Sequence, residues 1–431
     1  MPRILICTVD AWNSNLSASS ASTFSALFSQ YDPKDLANVY IRDDLPDSAV
    51  CSRYFQISEQ RVIRSLRKPK TKTGQEVFVT GQATDAGADD LNKYRELYGK
   101  NRKKRSYVKL LIRELIWFFG RWRSKELDAF LKDFSPQVVV FSMEGYIHLN
   151  RLCRYIIKKT GARAIGYFWD DNFTYKQLKN NIGYTVLRFF QRRSLKRLSK
   201  CTDRFWAISP KTKREADAFF GIDSVLLTKP ADLPQSAPVA AALPEPPLKI
   251  VYTGNLAIGR TATILSVSKA LDRINEKSKR MELFVYTPTA LQPEEADKIG
   301  NAVHILPPVS IEEVAAVQQA ADILLFVEDI DGPLCKKARL SFSTKITDYL
   351  KSGKCIVAIG NADTAPMEYF AQTGAAICVT ETEAITSALR MIADEPALLA
   401  EYAARAYACA KENHDGAKIR QTVRDTISSL V

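Results

Sequence analysis

The chain has few of the residues and runs that mark several classes of protein. It contains three histidines, and its eight cysteines are scattered with no Cys-x-x-Cys pair, which argues against a zinc site or a disulfide framework. The longest strongly apolar run, Leu115 to Phe119, is far shorter than the roughly 20 residues that span a bilayer. The first residues lack the long apolar stretch of a secretory signal. We therefore expect a cytoplasmic protein with free thiols.

The size and composition are those of a folded protein with more than one domain. Hydrophobic residues make up 46% and charged residues 25% of the chain, which is the ordinary mix of a globular protein. A chain of 431 residues exceeds what one hydrophobic core usually serves. Two domains are therefore expected.

Positive charge is concentrated in two segments of the first half of the chain. The formal net charge is +13, and residues 100–125 and 188–214 each carry ten Lys or Arg against one acid. The remainder of the chain is slightly acidic. Such segments attract an anionic partner, which can be nucleic acid, phospholipid headgroups or a phosphorylated substrate.

Strand, loop and helix patterns alternate along the chain, which is typical of a parallel sheet with right-handed crossovers. Patterns of buried strands occur, for example, at residues 138–142, 164–169 and 205–209. Residues 231–247 are rich in Ala and Pro and carry almost no charge, as in a semi-rigid connector. The alternation then begins again at residue 249.

These patterns predict an α/β protein made of two Rossmann-like domains. The N-terminal domain is expected to span residues 1–232, the linker residues 233–247 and the C-terminal domain residues 248–415.

The strongest site pattern is a capped helix followed by a strand, at residues 343–358. Ser343 is a good N-cap, and the helix that starts at Thr344 offers free N–H groups and a positive dipole end to an anion such as a diphosphate. Lys345 adds a positive charge there. Asp348 lies one turn later on the same face, where a carboxylate can accept the hydroxyls of a ribose. The alternative is a capped amphipathic helix without a ligand.

A second pattern is a glycine-containing loop after a predicted strand. Gly254 and Asn255 follow the strand directly, and the loop ends at Gly259-Arg260. Glycines let the backbone approach a ligand, and the guanidinium of Arg260 can bind phosphate oxygens through two N–H groups. The alternative for Arg260 is a solvated side chain in an exposed loop.

Together the two patterns resemble those of the two-domain, or GT-B, glycosyltransferases, in particular the family-four-like enzymes that build bacterial surface polysaccharides. The second domain of that group often carries a Y-x-G-x…G-R strand and loop, and later an S-K-x-x-E-Y-L-x-x-G-K-P-I-V-A helix and strand. The corresponding segments here are residues 252–260 and 344–358. The resemblance covers residues 249–380 well and the first domain loosely. It implies that the two domains face each other across a cleft and that a helix at about residues 416–431 returns to the first domain.

The resemblance implies a nucleotide-sugar donor, with a UDP-sugar favoured, no further cofactor, and a lipid-linked or surface-polysaccharide acceptor. It implies that Arg260 and Lys345 hold the donor diphosphate, that Asp348 holds the ribose, and that transfer is retaining and independent of metal. One departure is Leu340, which stands where the group often has a Glu that contacts the sugar. Three nearby acids are candidate substitutes: Glu328, Asp329 and Asp331.

Three acids of the first domain follow predicted strands and are candidate catalytic residues. Glu144 follows the strand at 138–142, and Asp170 and Asp171 follow the strand at 164–169, where residues of a cleft are expected. An inverting enzyme needs one carboxylate as a general base, for which we would choose Glu144 or Asp170. The alternative is that each acid caps the following helix. Adjacent aspartates diverge on a strand, so no metal site is predicted.

The basic segment at residues 100–125 interleaves cations with aromatic residues, which suits the headgroup boundary of an anionic membrane. Five residues are expected to contact the acceptor or the membrane: Lys103, Lys104, Arg105, Trp117 and Trp122. We therefore expect a peripheral protein at the inner face of the plasma membrane. The alternative is a solvated helix face over a buried one. Residues 188–214 show no comparable aromatics that are expected to be exposed, and this segment is expected to form a solvated helix.

Two other functions fit parts of the sequence. A nucleic-acid-binding protein would explain the positive charge, but the chain carries no RNA- or DNA-binding motif, so no specific nucleic acid is expected as a partner. A catalytically inactive scaffold with the same fold would explain Leu340.

Overall fold

The computed structural model of the chain describes residues 1–12, 19–79, 107–177, 181–233 and 244–431. Four predicted features lie wholly or largely outside these described residues: Lys103, Lys104, Arg105 and the linker at residues 233–247.

The chain divides into two compact units. The first comprises Met1–Ile208, Thr212–Leu227 and Ile419–Val431. The second comprises Ser209–Lys211 and Thr228–Lys418.

The first unit is built on a sheet of eight described strands. These are β1 (Ile4–Thr8), β2 (Leu36–Tyr40), β3 (Arg53–Ile57), β4 (Gly74–Val77), β5 (Val138–Ser142), β6 (Arg163–Phe168), β7 (Arg204–Ala207) and β8 (Val225–Leu226). Their order is β4-β3-β2-β1-β5-β6-β7-β8. Neighbouring strands are parallel except for the antiparallel pair β3 and β4.

Helices connect these strands. They are α1 (Ser19–Phe28), α2 (Glu59–Ser65), α3 (Tyr107–Phe119), α4 (Lys125–Phe134), α5 (Ile147–Thr160), α6 (Ile182–Ser199) and α7 (Pro210–Phe220). The order of the sheet reverses beside β1, because β1 pairs with β2 on one side and with β5 on the other. The ends of β1 and β5 therefore form a topological switch point, where α/β sheets bind their ligands.

The second unit contains a sheet of six described strands, all parallel. These are β9 (Leu248–Thr253), β10 (Met281–Tyr286), β11 (Val303–Leu306), β12 (Ile323–Val327), β13 (Cys355–Ile359) and β14 (Ile377–Val379), in the order β11-β10-β9-β12-β13-β14. The switch point lies between β9 and β12, which are buried neighbours in the centre of the sheet.

Eight further helices follow along the chain. They are α8 (Arg260–Ile274), α9 (Pro293–Ala296), α10 (Ile311–Gln319), α11 (Thr344–Ser352), α12 (Ala365–Thr373), α13 (Ile385–Asp394), α14 (Ala397–Asn413) and α15 (Gly416–Ser428). The two predominantly parallel α/β sheets confirm the predicted fold class. Within the described ranges, no helix combines the length and the apolar character needed to cross a bilayer.

The structure corrects the expectation that Trp117 and Trp122 contact a membrane. Their exposed fractions are 1% and 2%, because both indoles pack inside the first unit. Trp117 stacks on His148, with 4.7 Å between the ring centroids, and Trp122 meets Tyr155 edge-on at 5.6 Å. The two indoles therefore belong to the hydrophobic core of the first unit and do not face a membrane.

Candidate functional site

The loop after β9 brings the backbone close to a lysine from α11. Gly254 ends the strand with φ of +134°, a conformation that side-chain-bearing residues rarely adopt. A Cβ at residue 254 would lie 1.9 Å from Nζ of Lys345. The backbone conformation therefore favours glycine here, and any larger residue would displace the end of the Lys345 side chain.

Lys345 lies at the start of α11, where the sequence predicts an anion site. The Ser343 hydroxyl caps the helix and accepts a hydrogen bond from the backbone N–H of Lys345 at 3.4 Å. The Lys345 ammonium donates to the Tyr252 hydroxyl at 3.3 Å and lies 4.5 Å from the centre of the Tyr252 ring. Thr344 is the first residue of the helix. The side chain of Lys345 is thus directed back over the end of β9.

Arg260 begins α8 and is fixed by two hydrogen bonds. Its Nε donates to the carbonyl of Val327 at 3.2 Å, and its Nη1 donates to Oδ1 of Asn255 at 3.0 Å. The preceding Gly259 has φ of +80°, and a Cβ there would lie 2.5 Å from the carboxylate carbon of Asp329. These contacts hold the guanidinium at the ends of β9 and β12, beside the loop that carries Gly254.

The two cations are close enough to influence each other. The pKa of Lys345 is lowered to about 7, first by burial and then by the positive charge of Arg260, while the carboxylate of Glu328 acts in the opposite direction. A buried lysine that faces a second cation is poorly stabilised in its charged form. An anion bound between them would relieve this repulsion and restore the charge.

Glu328 is a third charged residue of the same site. It directly follows β12, it is buried, and Thr263 donates a hydrogen bond to its backbone carbonyl at 2.7 Å. The pKa of its carboxyl is raised to about 7, because burial outweighs the lowering effects of Arg260, a hydrogen bond from Thr364 and Lys345. Within the described part of the chain, its Oε2 has no hydrogen-bond partner. The sequence suggests Glu328 as one of three substitutes, and burial with an unpartnered oxygen distinguishes it.

Asp348 stands one turn after Lys345 and takes part in ion pairs. Its carboxylate lies 3.3 Å from Nζ of Lys229 and 3.6 Å from Nζ of Lys351. Sequence reasoning identifies Asp348 but misses Lys229, because the two residues are far apart in the chain and no local spacing links them. Lys229 holds the carboxylate in place, and the carboxylate has further lone pairs for a ribose hydroxyl.

The other two candidate acids near β12 are Asp329 and Asp331, and Asp329 has a structural role. Asp329 and Asp331 form an Asp-x-Asp spacing, but the two oxygens of Asp329 accept hydrogen bonds from the backbone N–H groups of Gly332 and Leu334, at 2.9 and 3.1 Å. Asp329 therefore closes its own loop. Leu340 is fully buried. Among the described residues, no group of three or more His, Cys, Asp or Glu is arranged as metal ligands.

In the first unit, Glu144 and Asp170 come together at the end of the sheet. The pKa of Glu144 is raised to about 7: burial and then the charge of Asp170 raise it, while a hydrogen bond from the Trp169 indole, at 3.1 Å, acts to lower it. Asp10 and Arg42 also act on Glu144. Sequence reasoning misses these two residues, although they follow β1 and β2 and so belong to the same edge of the sheet.

Asp171 is separated from this pair by its role in a turn. Its Oδ1 accepts from the backbone N–H of Thr174 at 2.9 Å, and its Oδ2 accepts from the hydroxyl of the same residue. The side chain is fully buried. The residues from Asp171 to Lys176 form a turn rather than a helix, so Asp171 stabilises this turn and does not cap a helix.

The comparisons with known proteins show the fold. No protein-family model and no curated protein sequence matches the chain. Among solved structures, sucrose-phosphate synthase from Thermosynechococcus elongatus is similar, with a TM-score of 0.62 and 12% identity over 100% of this chain and 99% of that one. HepE from Anabaena, in complex with UDP, matches with a TM-score of 0.59 and 10% identity over 100% of both chains.

A third similar structure is the UDP-forming α,α-trehalose-phosphate synthase from Burkholderia vietnamiensis. Its TM-score is 0.57, with 12% identity over 99% of this chain and 100% of that one. The chain therefore has the GT-B glycosyltransferase fold, as its sequence motifs predict.

Proposed function

We propose that the protein is a glycosyltransferase that uses a nucleoside diphosphate sugar, with a UDP-sugar favoured. The observation that carries the proposal is the meeting of Arg260 and Lys345 beside Gly254, from two segments that are distant in the sequence. Holding two cations together costs free energy unless an anion compensates for them. A diphosphate carries the required charge and matches the helix start at Ser343.

The same residues can stabilise the departure of the nucleotide. When the bond between the sugar and the diphosphate breaks, negative charge grows on the leaving oxygen. Arg260, Lys345 and the N–H groups at the start of α11 are already in place to stabilise that charge, so little reorganisation is needed. In this account the side chains and the helix take the role that a divalent metal has in other transferases, and Asp348 binds the ribose.

The acceptor is assigned to the first unit, at the ends of β1 and β5. Glu144 and Asp170 are there, and a carboxyl group with a pKa of about 7 can either orient an acceptor hydroxyl or accept its proton. We propose transfer with retention, in which these acids orient the acceptor. A lipid-linked or surface-polysaccharide acceptor fits the family resemblance and the basic segments of this half of the chain.

Turnover of nucleotide sugars tests the proposal. The protein is incubated with a panel of UDP-, GDP- and ADP-sugars, and nucleotide release and the melting temperature are measured. We expect one class, the UDP-sugars, to raise the melting temperature and to release UDP slowly. If none of the nucleotides stabilises the protein, the assignment of the donor site is wrong.

A catalytically inactive scaffold is a second candidate function. It is favoured by Leu340, which is buried and stands where the resembled enzymes often have a Glu that contacts the sugar. The same panel distinguishes the two. A scaffold would be stabilised by UDP but would release none from any UDP-sugar, with or without added acceptors.

A further inference from the structure

Among the described residues, two neighbouring helices of the first unit carry exposed apolar side chains. On α3, four residues at helical spacing form one exposed face: Val108, Ile112, Leu115 and Phe119. On α6, Ile182, Val186 and Phe189 do the same. Phe119 is 69% exposed and Ile182 is 84% exposed. Isolated apolar residues are normal on a protein surface, but a run along one face of each of two packed helices marks an interaction surface.

The helices pack against each other, so their exposed residues belong to one region of the unit. Tyr107 and Tyr184, at the starts of α3 and α6, have ring centroids 5.6 Å apart. We call the exposed apolar residues of these two helices the apolar face. It comprises Val108, Ile112, Leu115, Phe118, Phe119, Ile182, Val186, Phe189 and Phe190.

The orientation of α3 is fixed by its charged residues. Arg113 makes a two-pronged ion pair with Glu59, with N–O distances of 2.6 and 2.7 Å. Glu114 accepts hydrogen bonds from the backbone N–H groups of Ile147 and His148, at 3.0 and 2.9 Å, and so caps α5. Rotation of the helix to bury its apolar face would break these contacts. These contacts therefore hold the apolar side chains of α3 at the surface of the unit.

Two basic clusters adjoin the apolar face. Phe189 shares a surface depression with four cations of α6, which are Arg192, Arg193, Lys196 and Arg197, and with Lys200, which directly follows the helix. At the other helix, the guanidinium of Arg151 lies 4.7 Å from the centre of the Phe118 ring. Arg151 also lines a depression with other cations: Arg123, Arg154, Lys158 and Lys159.

Negative charge is scarce on the same two helices. The sequence of α6 contains no Asp or Glu, and the one acid of α3 is Glu114, which is used in capping α5. On these two helices the exposed apolar side chains thus lie beside cations, with Glu114 as the one acid in either helix. In the second cluster, Lys159 is paired with Asp128 of α4 at 2.8 Å.

We infer that the apolar face and its two basic clusters form a docking surface for a bilayer that contains anionic lipids. Aliphatic and Phe side chains enter the boundary of the acyl chains, and Arg and Lys beside them meet the phosphates of the headgroups. Nucleic acid would not cover Val108, Ile112 and Ile182. A second copy of the chain would bring like-charged clusters together. The inference does not depend on glycosyl transfer.

Co-sedimentation of the full chain with vesicles tests this docking surface. We expect binding to phosphatidylcholine vesicles that contain phosphatidylglycerol, little binding to phosphatidylcholine alone, and weaker binding as salt is raised. Leu115→Glu combined with Phe189→Glu should lower the partition coefficient more than about tenfold, because two apolar side chains that insert into the bilayer are lost. Met391→Glu, at an exposed apolar residue of the second unit, is the matched control and should bind like the parent.

Further measurements distinguish a bilayer from a second copy of the chain and from nucleic acid as the partner of this surface. All variants change solvent-exposed positions, so their melting temperatures should equal that of the parent, which checks folding. Unchanged partitioning of the double variant would overturn the inference. So would a dimer seen by sedimentation velocity without lipid that the double variant abolishes, because the face would then join two copies. Binding to duplex DNA that is lost in the double variant would overturn it too.

Discussion

The ammonium group of Lys345 occupies the space that a side chain on residue 254 would need. A Cβ built on Gly254 would stand 1.9 Å from Nζ of Lys345 and 2.5 Å from its Cε. The glycine after β9 and the lysine at the start of α11 are thus two parts of one site. A larger side chain at residue 254 should therefore change the position of the Lys345 ammonium group.

Replacement of Gly254 by Ala should weaken UDP binding by displacing Lys345. We expect a loss of affinity of about tenfold or more, as when one charged contact to a phosphate is lost. The variant should also lose about 1–3 kcal/mol of stability, because its backbone conformation is unfavourable for alanine. Binding is measured by calorimetry, and stability by denaturant unfolding.

Gly161→Ala separates the two effects. Gly161 has φ of +69° with open space around it, so this variant should lose stability and keep its affinity for UDP. In addition, when Lys345→Ala is added to the Gly254→Ala variant, the affinity for UDP should fall little further, because the lysine is already displaced. Full additivity of the two changes would mean that the residues act independently.

UDP binding should depend on pH through Lys345. Its pKa of about 7 means that the side chain is charged below this pH and mostly neutral above it. The bound diphosphate favours the charged form, so binding takes up a proton, and affinity should fall up to about tenfold per pH unit from about pH 7 to 9. Calorimetry in buffers of different ionisation enthalpy counts the proton. Lys345→Arg remains charged and should show no such fall; a constant affinity in the parent over this range would refute the assignment.

Glu328 should tune that pH dependence. Its carboxylate supports the charged form of Lys345, so Glu328→Gln should lower the pKa of Lys345 and move the fall in affinity to lower pH. Asp331→Asn removes the same charge from an exposed position nearby and serves as the control. The profile of the control should coincide with that of the parent, and a coinciding profile for Glu328→Gln would show that its carboxylate does not act on Lys345.

Glu144 should affect transfer to the acceptor and leave UDP binding unchanged. Under the retaining account, Glu144→Gln lowers kcat/KM for the acceptor about tenfold by loosening its orientation. Proton NMR of the product should show the anomeric configuration of the donor. An inverted product, together with a loss beyond about a thousandfold, would instead make Glu144 the general base.

The sequence predicts the class of fold because alternating strand and helix patterns leave few other arrangements. It also predicts that Arg260 and Lys345 meet, through the resemblance of two motifs. It does not reveal the ion pair of Lys229 with Asp348, since contacts between distant segments have no local signal. The buried state of Glu328 likewise depends on the whole sheet around it.

The basic segments show a second limit. In α3 nearly every position is apolar, so periodicity cannot decide whether Trp117 or Leu115 faces the interior. The structure buries Trp117 and exposes Leu115. In α6 the sequence suggests a solvated helix, but Phe189 and Phe190 are exposed there. Ion pairs and caps made with other elements determine these orientations.

The affinity of the protein for UDP in charge variants tests the central claim most directly. Arg260→Ala and Lys345→Ala should each weaken UDP binding by a factor of about ten to a hundred, as expected for the loss of a charged hydrogen bond, and keep the melting temperature of the free protein. Lys269→Ala removes the same charge from an exposed position of α8, the helix that Arg260 begins, and should bind UDP nearly as the parent does. If all three variants bind UDP equally well, the two cations do not hold a diphosphate.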